Sequence, residues 1–371
     1  MRRRTVLELP LLLAAGATLT RVPRAAAADS GRWSSDRANR WYQAQGWPVG
    51  SNYITSTAVN QLEMFQPATF DLRRIDAELG LAQSAGFSAV RVFLHDLLWA
   101  QDAQGFQYRL SQFVTVAARH RIKPLFVLFD SCWDPFPKPG QQPSPKPGIH
   151  NSRWVQSPGA ERIDDRSYQR TLYEYVTGVM TQFRYDDRVL GWDLWNEPDN
   201  MAREYRGVER SDKLDQVAEL LPQVFQWARS VDARQPLTSA IWEGSQRAST
   251  IVDTQLYNSD VMTFHCYDAP AVFADRMDEL SPYGRPMLCT EYLARTRGST
   301  IGGILPIMKR HNIGAFNWGF VAGKTQTYLP WDSWDSPYAA TPKVWFHDLV
   351  QPNGRAYQDM EIMTISGLIK R

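Results

Sequence analysis

The feature that most constrains this chain is a rhythm. Short apolar runs, rich in β-branched and aromatic residues, fall at 50–56, 89–94, 124–130, 189–195, 237–242, 261–267, 286–292 and 314–320. Between them lie helical patterns at 71–86, 108–120, 165–183, 211–231, 271–280 and 301–311. Another follows at 341–350, and a weaker one lies within 245–257. Asp71 and Gly86 suit the start and stop of the first helix. Short apolar strands joined by helices belong to a parallel sheet covered on both faces. Eight such units in 371 residues predict an α/β chain forming a single (β/α)8, or TIM, barrel over 29–371. A doubly wound open sheet is the alternative. The lack of a Gly-rich phosphate loop after the first strand counts against it.

Two connections are too long for simple turns, and both leave C-terminal ends of strands. Residues 131–164 contain "DPFPKPGQQPSPKPG", too rich in proline for regular structure. Residues 320–340 carry Tyr328, Trp331 and Trp334. In a barrel, that end of the strands is where sites are built. The first 28 residues read differently. Arg2, Arg3 and Arg4 precede a short apolar stretch at 9–19 and small residues at 25–28. This is the pattern of an export signal, here twin-arginine-like, and it predicts a periplasmic or extracellular protein. No later run is long enough for a membrane span. A net charge of +2 and the absence of a basic stripe argue against a nucleic-acid partner. Cys132, Cys266 and Cys289 are odd in number and lack metal-ligand spacing, so no disulfide framework and no metal site is expected. The oligomeric state is not legible.

Two glutamates close strands on the predicted functional rim. Glu197 follows the fourth, in "GWDLWNEPDN", and Glu291 follows the seventh, in "LCTEY". A carboxylate pair is the usual apparatus for breaking a glycosidic bond. One protonates the leaving oxygen, and the other attacks the anomeric carbon or activates water. A Trp count of 14 suits stacking on sugar rings.

These residues resemble the retaining glycoside hydrolases of clan A, most closely glycoside hydrolase family 5, the cellulase and mannanase family. The resemblance runs over 53–345. It rests on Asn196-Glu197-Pro198 after strand four, Glu291 after strand seven, Arg91 in "AVRVFL", His265-x-Tyr267 on strand six and Trp318 on strand eight. It implies an exported β-glycosidase that cuts β-linked oligosaccharides or polysaccharides without a cofactor. Glu291 would be the nucleophile, aimed by Arg91 and a tyrosine hydroxyl. Glu197 would be the acid/base, kept protonated by a low-dielectric cleft and the nearby charge of Glu291. Asn196 would bind the sugar's 2-hydroxyl, and Trp318 would floor the pocket. The chain departs from the family at the end of strand three, where a histidine is common and "LFDSCWDP" stands instead. His95, Asp130 and Trp133 are then candidate sugar contacts, and His150, Asn151 and Trp154 candidate walls. A transglycosylase with the same residues and a non-catalytic sugar-binding barrel are the competing readings.

Overall fold

The computed structural model describes residues 31–242 and 249–370. The signal-like segment lies outside them. The chain runs α1 (Ser35–Gln45), β1 (Val49–Asn52), α2 (Gln61–Phe65), α3 (Leu72–Ala85), β2 (Ala89–Phe93), α4 (Asp96–Arg119), β3 (Lys123–Asp130), α5 (Gln169–Phe183) and β4 (Gly191–Asn196). It continues with α6 (Lys213–Ser230), β5 (Leu237–Thr238), α7 (Thr250–Asn258), β6 (Met262–His265) and α8 (Pro270–Leu280). The last elements are β7 (Met287–Tyr292), α9 (Ile301–Arg310), β8 (Gly314–Asn317) and α10 (Asp359–Ile369). All strand pairs are parallel, in the order β5-β4-β3-β2-β1-β8-β7-β6. The two free edges meet just past β5. Ile241 N–H donates to Thr263 O at 3.0 Å, and His265 N–H to Ile241 O at 2.9 Å. The sheet therefore curls into a (β/α)8 barrel, as the rhythm of the sequence predicts.

Alternation along β2 stacks the barrel interior in layers. Ala89 points into the bottom, with Leu125, Leu190, Val261, Leu288 and Phe316. Helix α1 caps this layer. Ser34 accepts from Arg37 N–H at 3.2 Å, and Trp33, Ala38 and Tyr42 pack beneath the strands. Arg91 lies in the middle layer. Phe93 reaches the top, against Val127, Trp154 and Trp318. The intervening Val90 and Val92 face outward, into the main core beneath the helices. Close strand packing explains Gly50, whose Cβ would lie 1.9 Å from Ala89 O.

The structure corrects several boundaries. β1 ends at Asn52 and not at 56, and α4 begins twelve residues before the predicted 108. The expected helix at 341–350 does not form. Phe346, His347, Asp348, Leu349 and Val350 are all buried in succession, which no helix face allows. Val350 instead bridges to Val321 and Ala356. The final barrel helix comes later, as α10, packed on α9 and α3.

Candidate active site

The middle layer delivers a cation to the rim. Arg91 is fully buried. Its Nε and Nη2 donate to Asp193 Oδ2 at 3.0 and 2.8 Å, and its Nη1 donates to Asn52 Oδ1 at 2.8 Å. What remains of the guanidinium faces the site. Nη1 also donates to Glu291 Oε1 at 2.7 Å, and Nη2 to Asn196 Oδ1 at 2.6 Å. The other Glu291 oxygen accepts from Tyr267 OH at 2.5 Å. Burial is the largest influence on the Glu291 carboxyl and pushes it above the usual carboxylate range. Arg91 pulls it down, as would His265 only if protonated; the charge of Glu197 pushes it up, and the Tyr267 bond pulls it down. Burial likewise lifts Asp193 to about 6 against the pull of Arg91.

Glu197 has a different setting. It sits past the end of β4 at φ 43°, a left-handed conformation uncommon for a residue with a side chain. Such a residue carries about 1–3 kcal/mol of local strain, and such strain gathers at functional sites. Its Oε1 lies 2.6 Å from His265 Nδ1, while Oε2 accepts from Asn200 Nδ2 at 2.6 Å and Cys132 Sγ at 3.2 Å. His265 also presents Nε2 to Glu291 Oε1 at 3.5 Å. Burial pushes its imidazole down to about 3, with Glu291 raising and Arg91 lowering it, so the ring between the two glutamates is neutral at ordinary pH. Glu197, His265 and Glu291 each offer a donor atom within 4.8 Å of the others, the one such grouping among the described residues that could converge on a metal ion. In this conformation those atoms are engaged with Arg91, Tyr267 and each other.

Most of the sequence candidates converge here. Asp130, Trp133, Asn196, Glu197, His265, Tyr267, Glu291 and Trp318 all line one cleft of about 750 Å³, with His150, Asn151 and Trp154. Asp130 is nearly inaccessible. It accepts from Trp154 Nε1 at 2.7 Å and Asn196 Nδ2 at 2.9 Å, so it orients Asn196 and is not itself turned to a ligand. His95 is not brought to the cleft. It is fully buried at the start of α4, where its Nδ1 accepts from Leu97 N–H at 3.1 Å and faces Asp96. A histidine there caps a helix, which takes its ring away from any sugar. Asn52, Asp193 and Asn200 escaped the sequence reading, and Cys132, expected near the rim, lies against Glu197. Asp193 left a trace, since a carboxylate inside the apolar "GWDLW" needs a buried partner.

The two long connections join. Asn151 N–H donates to Thr325 O at 2.8 Å, His150 Nδ1 lies 2.8 Å from Leu329 O, and Trp334 Nε1 donates to His150 O at 2.8 Å. Gln326 Nε2 donates to the Lys146 and Ile149 carbonyls, and Tyr338 N–H to Gly148 O. Trp133 stacks on Trp334 with centroids 5.5 Å apart, and Tyr205 meets Trp334 edge-on. Arg203 pairs with Asp335 across the rim. The result is a wall over the β8–β1–β2–β3 side. Across from this wall, Trp242, Asp268 and Arg276 also line the cleft.

No family model and no curated protein matches the chain. Solved structures do. An exo-β-1,4-mannosidase from Opitutaceae bacterium strain TAV5 superposes with a TM-score of 0.60 at 18% identity. The match covers 92% of this chain, which spans 61% of that protein's length. The GH5_18 protein of Streptomyces cattleya, solved in complex with GlcNAc, gives 0.56 at 12% identity, over 87% of this chain and 80% of that one. The chain has the fold of the family 5 glycoside hydrolases. An endo-1,4-β-mannanase from Rhizomucor miehei adds a TM-score of 0.57 at 13% identity, covering 87% of this chain and 94% of that one. Sequence identity this low speaks to the fold, and the chemistry rests on the residues.

Proposed function

We propose that the protein is a retaining β-glycosidase that removes sugars from the end of a β-linked chain, with manno-configured substrates the first choice. One observation carries the reading. A glutamate held by Arg91 and Tyr267 has an oxygen within 4.8 Å of one on a second glutamate, which meets His265, Asn200 and Cys132. Retaining enzymes hold their carboxyl groups about 5–5.5 Å apart, whereas inverting ones need about 6.5–9.5 Å to fit a water. A pair of oxygens within 4.8 Å is nearer the first spacing than the second, which supports retention.

Each step follows from the contacts. Arg91 and Tyr267 stabilise the ionised Glu291 and aim it at the anomeric carbon. Glu197 gives its proton to the departing oxygen as the glycosyl–Glu291 ester forms. Water then enters, Glu197 takes its proton, and the ester is cleaved with net retention. His265 suits both halves because it is neutral. When Glu197 is protonated, Nδ1 accepts and the ring proton sits on Nε2, toward Glu291. When Glu197 is ionised, the other tautomer donates from Nδ1. Asn196, fixed by Arg91 and Asp130, is placed to bond a sugar hydroxyl above the Trp318 floor.

End-wise action is supported by the wall. A glycan lying over Trp318 would meet Trp154 and the joined segments, and its leaving portion would extend away from them. The manno preference draws on the mannosidase and mannanases among the structural neighbours. Export through residues 1–28 belongs to the same proposal, and fractionation of the cells that make the protein tests it.

The deciding experiment incubates the protein, and Glu291→Gln beside it, with β-linked manno-, gluco- and xylo-oligosaccharides, following products and anomeric configuration by NMR. Single sugars released with retention from mannooligosaccharides, and none by the variant, are expected. Inverted products, or undiminished activity in Glu291→Gln, would sink the mechanism. Internal cuts would remove the end-wise part alone.

A further inference from the structure

Cys132 is a buried thiol in the cleft that the mechanism above does not use. Its Sγ lies 3.2 Å from Glu197 Oε2, and it accepts from Asn196 Nδ2 at 3.5 Å and Asn200 Nδ2 at 3.4 Å. The turn after β3 fixes it there, because Cys132 N–H donates to Asp130 Oδ1 at 3.0 Å. We propose that Cys132 is a positioning residue for Glu197, whose weak S–H donor holds Oε2 in place while leaving the carboxyl free to keep its proton. The inference rests on the acid/base role given to Glu197 above.

The choice of sulfur matters. A charged donor or a strong hydroxyl donor favours the ionised carboxylate and would discourage Glu197 from acting as an acid. A thiol is a weak donor. It is also a constant one. Burial, reinforced by the charges of Glu197, Asp130 and Glu291, pushes the Cys132 thiol well above its ordinary range. The proton therefore stays on sulfur throughout the cycle. Oε2 also accepts from the Asn200 amide at 2.6 Å, a neutral donor, and Glu197 further faces His265 from β6, which is neutral, and Glu291 from β7, whose charge is countered by Arg91 from β2 and hydrogen-bonded by Tyr267. Asp130 from β3 faces Cys132 itself.

The test compares wild type, Cys132→Ser and Cys132→Ala on two mannosides, one with a poor alkyl leaving group and one with an activated aryl group that departs without protonation. Serine brings a stronger donor to the charged form. The alkaline limb of kcat/KM on the alkyl substrate should therefore move down by about half to one pH unit. Alanine removes the donor, and the limb should move up by a similar amount. Activity on the activated aryl substrate should change less than twofold in both variants. Circular dichroism and melting curves establish that the variants fold. If Cys132→Ala does not fold, Cys132→Ser alone decides by the direction of its shift. Unmoved limbs, or losses equal on both substrates, overturn the inference while the hydrolase reading stands. A wild type that cleaves neither substrate overturns both.

Discussion

One oxygen of each glutamate lies within 4.8 Å of the other, yet the two carboxyls meet different partners. Glu291 is gripped by a guanidinium and a phenol, and that guanidinium is anchored behind by Asp193, Asn52 and Asn196. Glu197 meets an amide, a thiol and a neutral imidazole. One carboxylate is supplied with what keeps it charged. Three of the groups that meet the other tolerate either protonation state. Two identical side chains can thus take two roles, because environment and not residue type separates them.

The comparison can be broken at its strongest point first. Glu291→Gln should cost about 10⁴-fold or more in kcat, since removing a nucleophile disables the whole covalent route. Added azide should not restore the retained product. A residual rate within tenfold of wild type would end the distinction between the two carboxyls. Glu197→Gln should be slower by about 10²–10⁴-fold on substrates with poor leaving groups, the usual worth of general acid catalysis. Its first step should be nearly intact on activated aryl glycosides, read as a burst of released phenol. Equal losses on both substrates would assign Glu197 another task.

Arg91→Met attacks the charged half. It leaves Asp193 and Glu291 buried without their cation, a loss of about 3–5 kcal/mol of folding stability measurable by denaturant titration. If the variant folds, the acid limb of kcat should move to higher pH, because the ionised Glu291 loses its nearest positive charge. A limb that stays in place would mean that Arg91 is structural only.

The smallest effect tests the neutral half. Burial holds His265 down at about 3, His150 at about 4, and His347 well below the usual value. In the unfolded chain these rings titrate near about 6.5. As pH falls below that value, the unfolded chain takes up protons that the folded chain refuses, so stability falls. For His150 alone the loss by pH 4 is on the order of 3 kcal/mol. The melting temperature should drop between about pH 6.5 and 4, and less steeply in His150→Gln. A flat profile would mean that these rings charge inside the fold.

The barrel was legible because its signal is repeated. A β-branched or aromatic run followed by a capped helix recurs, and an error at one boundary does not disturb the count. The glutamates were legible because each stands at a strand end in a recognisable motif. What escaped reading depends on contacts distant in sequence. Asn200 lies three residues after Glu197, but nothing in "NEPDN" says that its amide turns back on the carboxylate. His95 looked available because it follows a strand, and only the start of α4 shows its ring spent on a cap. The segment 341–350 read as a helix because its apolar residues are dense. They are dense because both sides of an irregular strand-like path are buried, between β8 and the wall of the cleft.

That wall behaves distinctively toward salt. The seam between residues 146–151 and 325–338 is made from amides, carbonyls, a neutral imidazole and indole N–H groups. Dissolved ions screen interactions between exposed charges and leave neutral hydrogen bonds nearly untouched. The Arg203–Asp335 clasp, with both side chains more than half exposed, is the contact most open to such screening, ahead of the Lys324–Glu63 pair and Lys146 over the Trp334 ring. The back of the pocket should hold one shape from dilute medium to brine, while the rim above it loosens as ionic strength rises.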